Sequence, residues 1–168
     1  MKKILLLFIF FLSLINCEKD SSVNTKEKFF DPQKLPLLSL EDVVNFWDND
    51  SLEYCSNYFE DYSGYQDGLN LRCDEKGISV VVFVSQAKAI EAMERLINTV
   101  AFIIQPGTPN EILKGKWWFG DGIPNAVFVN QWNTIVEVYC YHTDYEEVET
   151  LLMETAAEIA RRIDSLSN

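Results

Sequence analysis

The sequence predicts an α+β domain, with an antiparallel sheet of four to five strands and helices packed on one face, in the order α-β-β-α-(β)-β-β-α. Three observations predict it. Alternating or β-branched apolar runs come in neighbouring pairs joined by short turns, the pattern of hairpins. Stretches with an apolar residue every three to four positions stand before, between and after those pairs. Paired strands separated by helices, without strict strand–helix alternation, favour an antiparallel sheet with segregated helices.

Ser39 has the residue type of a helix N-cap, and Asp42 makes an imperfect capping box with it. Leu40, Val43, Val44 and Trp47 share one helical face. Asp48-Asn49-Asp50-Ser51 interrupts this helix or caps a second one. Leu52, Cys55, Tyr58, Phe59 and Tyr62 continue the helical spacing until Gly64 and Gly68 break it. Leu69 to Cys73 alternates like a strand, Asp74-Glu75-Lys76-Gly77 reads as a turn, and Ile78 to Val84 is apolar on both faces, as expected of a central strand.

Ser85 can cap the next helix, whose stripe is Ala89, Ile90, Met93, Leu96, Ile97 and Val100. Pro106-Gly107 and Pro109 end it by Gln105. Lys116 to Phe119 fits a short strand. Ala126 to Val129 and Thr134 to Tyr141 are strands joined around Gln131-Trp132-Asn133. In the second, Val136, Val138 and Cys140 face one way, and Glu137, Tyr139 and Tyr141 the other. The last helix opens on a capping box, Thr143 with Glu146. Its stripe is Val148, Leu151, Leu152, Thr155, Ala156, Ile159, Ala160 and Ile163.

The N-terminus carries an address. Lys2 and Lys3 precede an apolar run from Ile4 to Ile15, shorter than the roughly 20 residues a membrane span needs. Leu14-Ile15-Asn16-Cys17 resembles the lipobox of bacterial lipoproteins, although Asn16 departs from the usual small residue. The resemblance implies a signal peptide over residues 1–16, a lipidated Cys17 at the mature N-terminus, and anchoring in the bacterial cell envelope, facing the periplasm or the surface. The alternative is ordinary cleavage with an unmodified Cys17. Glu18-Lys19-Asp20 resembles signals that send some lipoproteins to the cell exterior. Residues 17–38 then read as the lipidated Cys17 and a polar tether, and residues 39–168 as one globular domain.

Removing residues 1–16 leaves 12 basic against 26 acidic side chains, a formal charge of −14. Such a chain repels nucleic acid, which is excluded as a partner. Three cysteines follow Cys17, so at most one internal disulfide forms, and the sequence leaves open which of Cys55, Cys73 and Cys140 pair; Cys55–Cys73 is favoured because it would close a short polar loop, and Cys140 then reads as a small apolar core residue. With one histidine and no CxxC, no metal site is expected. Asp48-Asn49-Asp50 lacks the Gly and Glu of a calcium loop. No cofactor-binding loop is present.

The chemistry-bearing candidates are aromatic. In Trp117-Trp118-Phe119-Gly120-Asp121, adjacent tryptophans must point to opposite sheet faces, so one can be buried while the other stacks on a sugar or grips a partner near Asp121. The alternative is two core residues at a sheet edge. Trp132, Tyr139 and Tyr141 extend this candidate surface. Tyr54, Tyr58, Phe59, Tyr62 and Tyr65, among acidic residues, suit either a cationic peptide or simple packing on the sheet. No nucleophile–base motif occurs. Aromatic richness without a catalytic motif predicts a binding or interaction module with a protein or glycan partner in the envelope, and not an enzyme. The alternatives are a small carboxylate-dependent hydrolase of envelope glycan and an envelope assembly factor. Small α+β domains of bacterial exported proteins resemble the stretch from Gly120 to Val138, where a Gly-Asp turn precedes a hairpin and a closing helix.

Overall fold

The computed structural model describes residues 28–40, 43, 53–54, 58–73, 76–99, 103–121, 125–141 and 145–168. Among these, seven strands form one antiparallel sheet: β1 (Glu53–Tyr54), β2 (Tyr65–Cys73), β3 (Lys76–Phe83), β4 (Ile103–Pro106), β5 (Trp117–Asp121), β6 (Asn125–Gln131) and β7 (Thr134–Cys140). Their order across the sheet is β1-β2-β3-β7-β6-β5-β4. Two meanders, β1–β3 and β4–β7, therefore lie side by side and meet where β3 pairs with β7. Helix α1 (Gln86–Thr99) carries the chain from β3 to the far edge, and α2 (Tyr145–Leu166) follows β7. Two 3-10 segments, η1 (Pro32–Leu38) and η2 (Tyr58–Asp61), complete the described elements.

The α+β class and the antiparallel sheet agree with the sequence. The placement of the helices does not: they cover opposite faces. Helix α1 packs on Val81, Phe83, Phe128 and Ile135, whereas α2 and η1 pack on Val80, Val136, Val129, Ile78, Val138 and Val127. The physical reason is visible in β3, buried at every position from Gly77 to Phe83. A strand apolar on both faces has to be covered on both.

The sheet is also wider than expected, because β1 and β4 are edge strands of two and four residues. Neither is long enough to print a period. The chain before Gln105, expected to be helix, leaves α1 at Thr99 and enters β4, where Ile103-Ile104 favours the extended conformation. The helical reading of Leu52 to Tyr62 is likewise replaced: Glu53–Tyr54 is strand and Tyr58–Asp61 is 3-10. Phe59 is fully buried there, with Tyr62 and Tyr65 packed beside it, so this aromatic stretch serves the α1-face core. Of the helix expected from Leu40, Leu40 and Val43 are helical and buried in the α2-face core; Trp47 and Asp48 to Asp50 lie outside the described residues.

The domain begins before the expected boundary at 38/39. Phe30, Leu35 and Leu38 are core residues. Phe29 and Asn168 exchange two backbone hydrogen bonds (3.0 and 3.1 Å), tying the N-terminal segment to the end of α2. The polar run that suggests a tether ends at Lys28, and Phe30, Leu35 and Leu38 beyond it pack in the α2-face core.

One buried amide locks this arrangement. Asn133, in the β6–β7 turn, accepts from Phe30 N (2.8 Å) and donates to Phe30 O (3.1 Å) and Phe83 O (2.8 Å). It joins the N-terminal segment, the end of β3 and the hairpin turn. Its neighbour Trp132 has φ +55°, a left-handed conformation costly for a side chain of this size. The Trp132 indole N–H donates to Asp164 Oδ1 (2.9 Å), and Lys28 both bonds the same oxygen (2.9 Å) and sits over the Trp132 ring. Those bonds hold the Asp164 carboxyl below the usual carboxylate range, Lys28 first and Trp132 second.

The long stripe of α2 forms as expected: Leu152, Thr155, Ala156, Ile159, Ala160 and Ile163 are buried. The capping residue Thr143 lies outside the described residues. Arg161 and Arg162 do more than favour the helix dipole. Both bond Glu158, and Arg162 also donates to Leu38 O and Ser39 O at 2.8 Å, clamping η1 onto the helix. Cys140 is a free, buried thiol. Cys55 lies outside the described residues and Cys73 is described by backbone alone, so the structure does not bear on their pairing. Among the described residues no helix is long and apolar enough to cross a membrane.

Candidate functional site

The adjacent tryptophans of β5 separate as strand geometry requires. Trp117, paired with Val129, enters the α2-face core at 6% exposure. Its indole N–H donates to Thr108 O (3.1 Å). The ring lies so close to Gly107 that a Cβ there would stand 2.0 Å from Trp117 Cε2, so only glycine fits. Trp118, paired with Phe128, turns to the α1 face and remains half-buried.

Trp118 lines a groove of about 600 Å³ between α1 and the β4–β5 edge. One wall is helical. Ile90, Glu94 and Ile97 sit at i, i+4 and i+7, one side of α1, and line the same groove. Both isoleucines belong to the apolar stripe read from the sequence, yet they are only partly buried. The buried contacts of α1 run through Ala89, Ala92, Met93 and Leu96 instead. The stripe is thus wider than the sheet beneath it, and its margin faces the groove.

The other wall is the β4–β5 connection, which supplies Pro109, Lys114, Gly115 and Lys116. This loop is firmly held. Gly107 N donates to Trp117 O (2.8 Å), extending the β4–β5 pairing. Asn110 Oδ1 accepts from Ile112 N (2.9 Å) and Leu113 N (2.7 Å), and Leu113 is buried in the α2-face core. Beyond it, Asn130 N donates to Lys116 O (3.2 Å). Lys114 and Lys116 are exposed, and their ammonium groups make no ion pair, hydrogen bond or ring contact among the described residues. The other lysines and arginines of known partner contrast with them: Lys28 bonds Asp164, Lys34 bonds Leu166 O, Lys88 bonds Glu91, Arg72 lies over Tyr141, Arg95 lies over Tyr62, and Arg161 and Arg162 bond Glu158.

Among the remaining candidates, Tyr139, Tyr141 and Trp132 do not join this site. Tyr139 and Tyr141 meet edge to face (5.9 Å between centroids) on the same α1 face, with the Arg72 guanidinium 5.8 Å above the Tyr141 ring. They occupy the C-terminal end of β7, about 20 Å from its opposite end, where Trp132 acts as a clamp in the turn. Asp121 is described by backbone alone. Of the aromatic surface expected from the sequence, Trp118 is therefore at the groove, Trp117 also lines it while filling the α2-face core, Trp132 is a structural clamp, and the two tyrosines form a separate pair. Sequence reasoning missed Ile90, Glu94, Ile97, Lys114 and Lys116. A signal was present: Lys114-Gly115-Lys116 places two cations together in a strongly acidic chain.

A row of polar side chains approaches Trp118 from within the sheet. Asn70, Ser79, Glu137, Phe128 and Trp118 are successive cross-strand partners on the α1 face. Glu137 is the one carboxylate buried among the described residues, and Ser79 beside it is buried too. Among the described residues, smaller grooves lie elsewhere. One, about 400 Å³, is framed by η1 and β2; another, about 310 Å³, lies on α2, where Glu158 and Arg162 already bond each other.

No protein-family model matches the chain, and no curated protein matches it. Among solved structures it is similar to the extracellular domain of PknH from Mycobacterium tuberculosis, with 12% sequence identity over 83% of this chain and 99% of that one and a TM-score of 0.49.

Proposed function

We propose that this protein is an extracytoplasmic, lipid-anchored binding module that receives its ligand in the groove beside Trp118. The observation that carries the reading is a half-buried tryptophan lining a groove of about 600 Å³, within the size range of ligand sites. Its helical wall is apolar at Ile90 and Ile97, and its loop wall is pinned to the core, so the site is formed before a ligand arrives. A pre-formed aromatic site loses little ordering entropy on binding.

The anchor is part of the proposal and rests on the leader, Met1 to Cys17. Two or more acyl chains hold a protein on a membrane stably. With residues from Lys28 onward packed in the domain, only residues 18–27 separate it from Cys17, a distance that chain length bounds at roughly 40 Å. The domain would work close to the membrane surface.

Two measurements test the reading. Cys17→Ser should abolish acyl labelling and release the protein from membranes; retention of both label and membrane location overturns the anchor. The anchored protein should then be recovered in mild detergent as wild type and as Trp118→Ala, and the retained material compared by mass. A species held by wild type and lost from Trp118→Ala supports the groove. Identical retention by the two overturns it.

A further inference from the structure

We infer that the groove takes an acidic saccharide: a sugar ring against Trp118, its acid group between Lys114 and Lys116, and a hydroxyl donating to Glu94. The inference rests on the groove being the binding site and adds the class of ligand.

Charge is the first observation. The protein carries a formal charge of −12, so its surface repels anions over most of its extent. Two lysines without an internal partner nevertheless line one groove. Elsewhere Lys28, Lys88, Arg161 and Arg162 are matched to carboxylates within the domain. Lys114 and Lys116 flank Gly115 on an exposed loop wall, and both line the groove.

The second observation is the chemistry of the other walls. An indole stacks on the C–H face of a sugar ring, while the ring's hydroxyls still need partners. Glu94, exposed on the helical wall between Ile90 and Ile97, is an acceptor suited to a hydroxyl. A ligand with both an acid group and hydroxyls satisfies the two lysines and the glutamate together. An anion without hydroxyls would offer Glu94 no donor and meet only its repulsion.

The third observation argues against an extended peptide. Peptides add to exposed sheet edges through backbone hydrogen bonds. Here the neighbouring edge, β4, has four residues and ends at Pro106, which lacks an N–H and pairs with Trp118. Proline and shortness both blunt an edge.

The test uses the full-length protein in detergent and three probes: a galacturonic acid trimer, its methyl ester, and a hexaglutamate peptide, titrated by calorimetry. The acid trimer should bind, and its affinity should fall with added salt. The ester should bind at least about tenfold more weakly. Lys114→Gln with Lys116→Gln should remove the preference for the acid over the ester, and Trp118→Ala should weaken both sugars. The lysines are exposed, so their replacement leaves the core intact, and circular dichroism checks each variant. Absence of binding by the acid trimer overturns the inference. Equal binding of acid and ester, with loss in Trp118→Ala, overturns the acidic class and leaves the groove reading standing. Binding of hexaglutamate as tight as the acid trimer overturns the saccharide in favour of an acidic peptide. If the trimer binds and neither Trp118→Ala nor the lysine pair alters it, the inference fails, and the pull-down with Trp118→Ala judges the groove itself.

Discussion

The two faces of the sheet are built differently. On the α2 face, cross-strand rows read Val80-Val136-Val129-Trp117 and Ile78-Val138-Val127-Phe119, and α2, η1 and Leu113 close over them. On the α1 face, a row with Val81 and Ile135 gives way to Asn70-Ser79-Glu137 and then to Gly77-Tyr139. Aliphatic rows maximise burial and carry no chemistry. The mixed face buries polar groups, which need partners and cost stability where partners are imperfect. On this side the apolar stripe of α1 is wider than the surface it covers, and Ile90 and Ile97 stay partly buried. The groove at Trp118 opens at the β4–β5 edge of that side, where Gly107 and Trp117 also line it.

The adjacent tryptophans give the sharpest way to break this contrast. Trp117→Ala should cost about 3–5 kcal/mol in a urea titration, because it empties a filled core position and removes the bond to Thr108. Trp118→Ala should cost about 1–2 kcal/mol, being half-buried. Equal losses would mean that the α1 side is as closed as the α2 side. Ile159→Ala, on the sealed side, should cost about 2–5 kcal/mol. A loss under about 1 kcal/mol there would contradict the assignment of α2 to the principal core.

Asn133→Ala sharpens the contrast at the seam between the faces. It leaves Phe30 N and O and Phe83 O without their side-chain partner, at a cost of about 1–3 kcal/mol. The Phe30 amide should also exchange faster with solvent hydrogen. Unchanged exchange would show that Lys28 to Leu38 does not depend on this amide.

The smallest effect is in acid. Glu158 is held down to about 2 by hydrogen bonds from Arg161 and then Arg162, against an ordinary value of 4.5. Asp164 is lowered by Lys28 and Trp132. A depressed carboxylate contributes its stability above the unfolded value and loses it as pH falls through the folded one. For Glu158 that window runs from 4.5 down to about 2. Both pairs are partly exposed, so each should contribute less than about 1 kcal/mol. Glu158→Gln should flatten the acid limb of a stability–pH curve. A curve identical to wild type would remove the Glu158 pairs with Arg161 and Arg162 from the account of acid stability.

By itself the sequence determined what depends on near neighbours along the chain. The β2–β3 hairpin, the alternation of Val136, Val138 and Cys140 against Glu137, Tyr139 and Tyr141, and the stripe of α2 all follow from side-chain period. The opposition of Trp117 to Trp118 follows from the same period, and the lipobox-like leader and net charge are read from the residues alone. Tertiary structure decided what depends on pairing between distant segments. It placed α1 and α2 on opposite faces, a choice already implicit in the doubly apolar β3 but not made by any local period. It gave β1 and β4 their strand character, since two to four residues become a strand only when a neighbour supplies hydrogen bonds. It drew Phe30, Leu35 and Leu38 into the core through Asn133, more than a hundred residues away in the chain. It also set Lys114 and Lys116 across from Ile90 and Glu94. Long-range contacts close loops whose cost and geometry no short window of sequence records, and for that reason the groove became visible only in three dimensions.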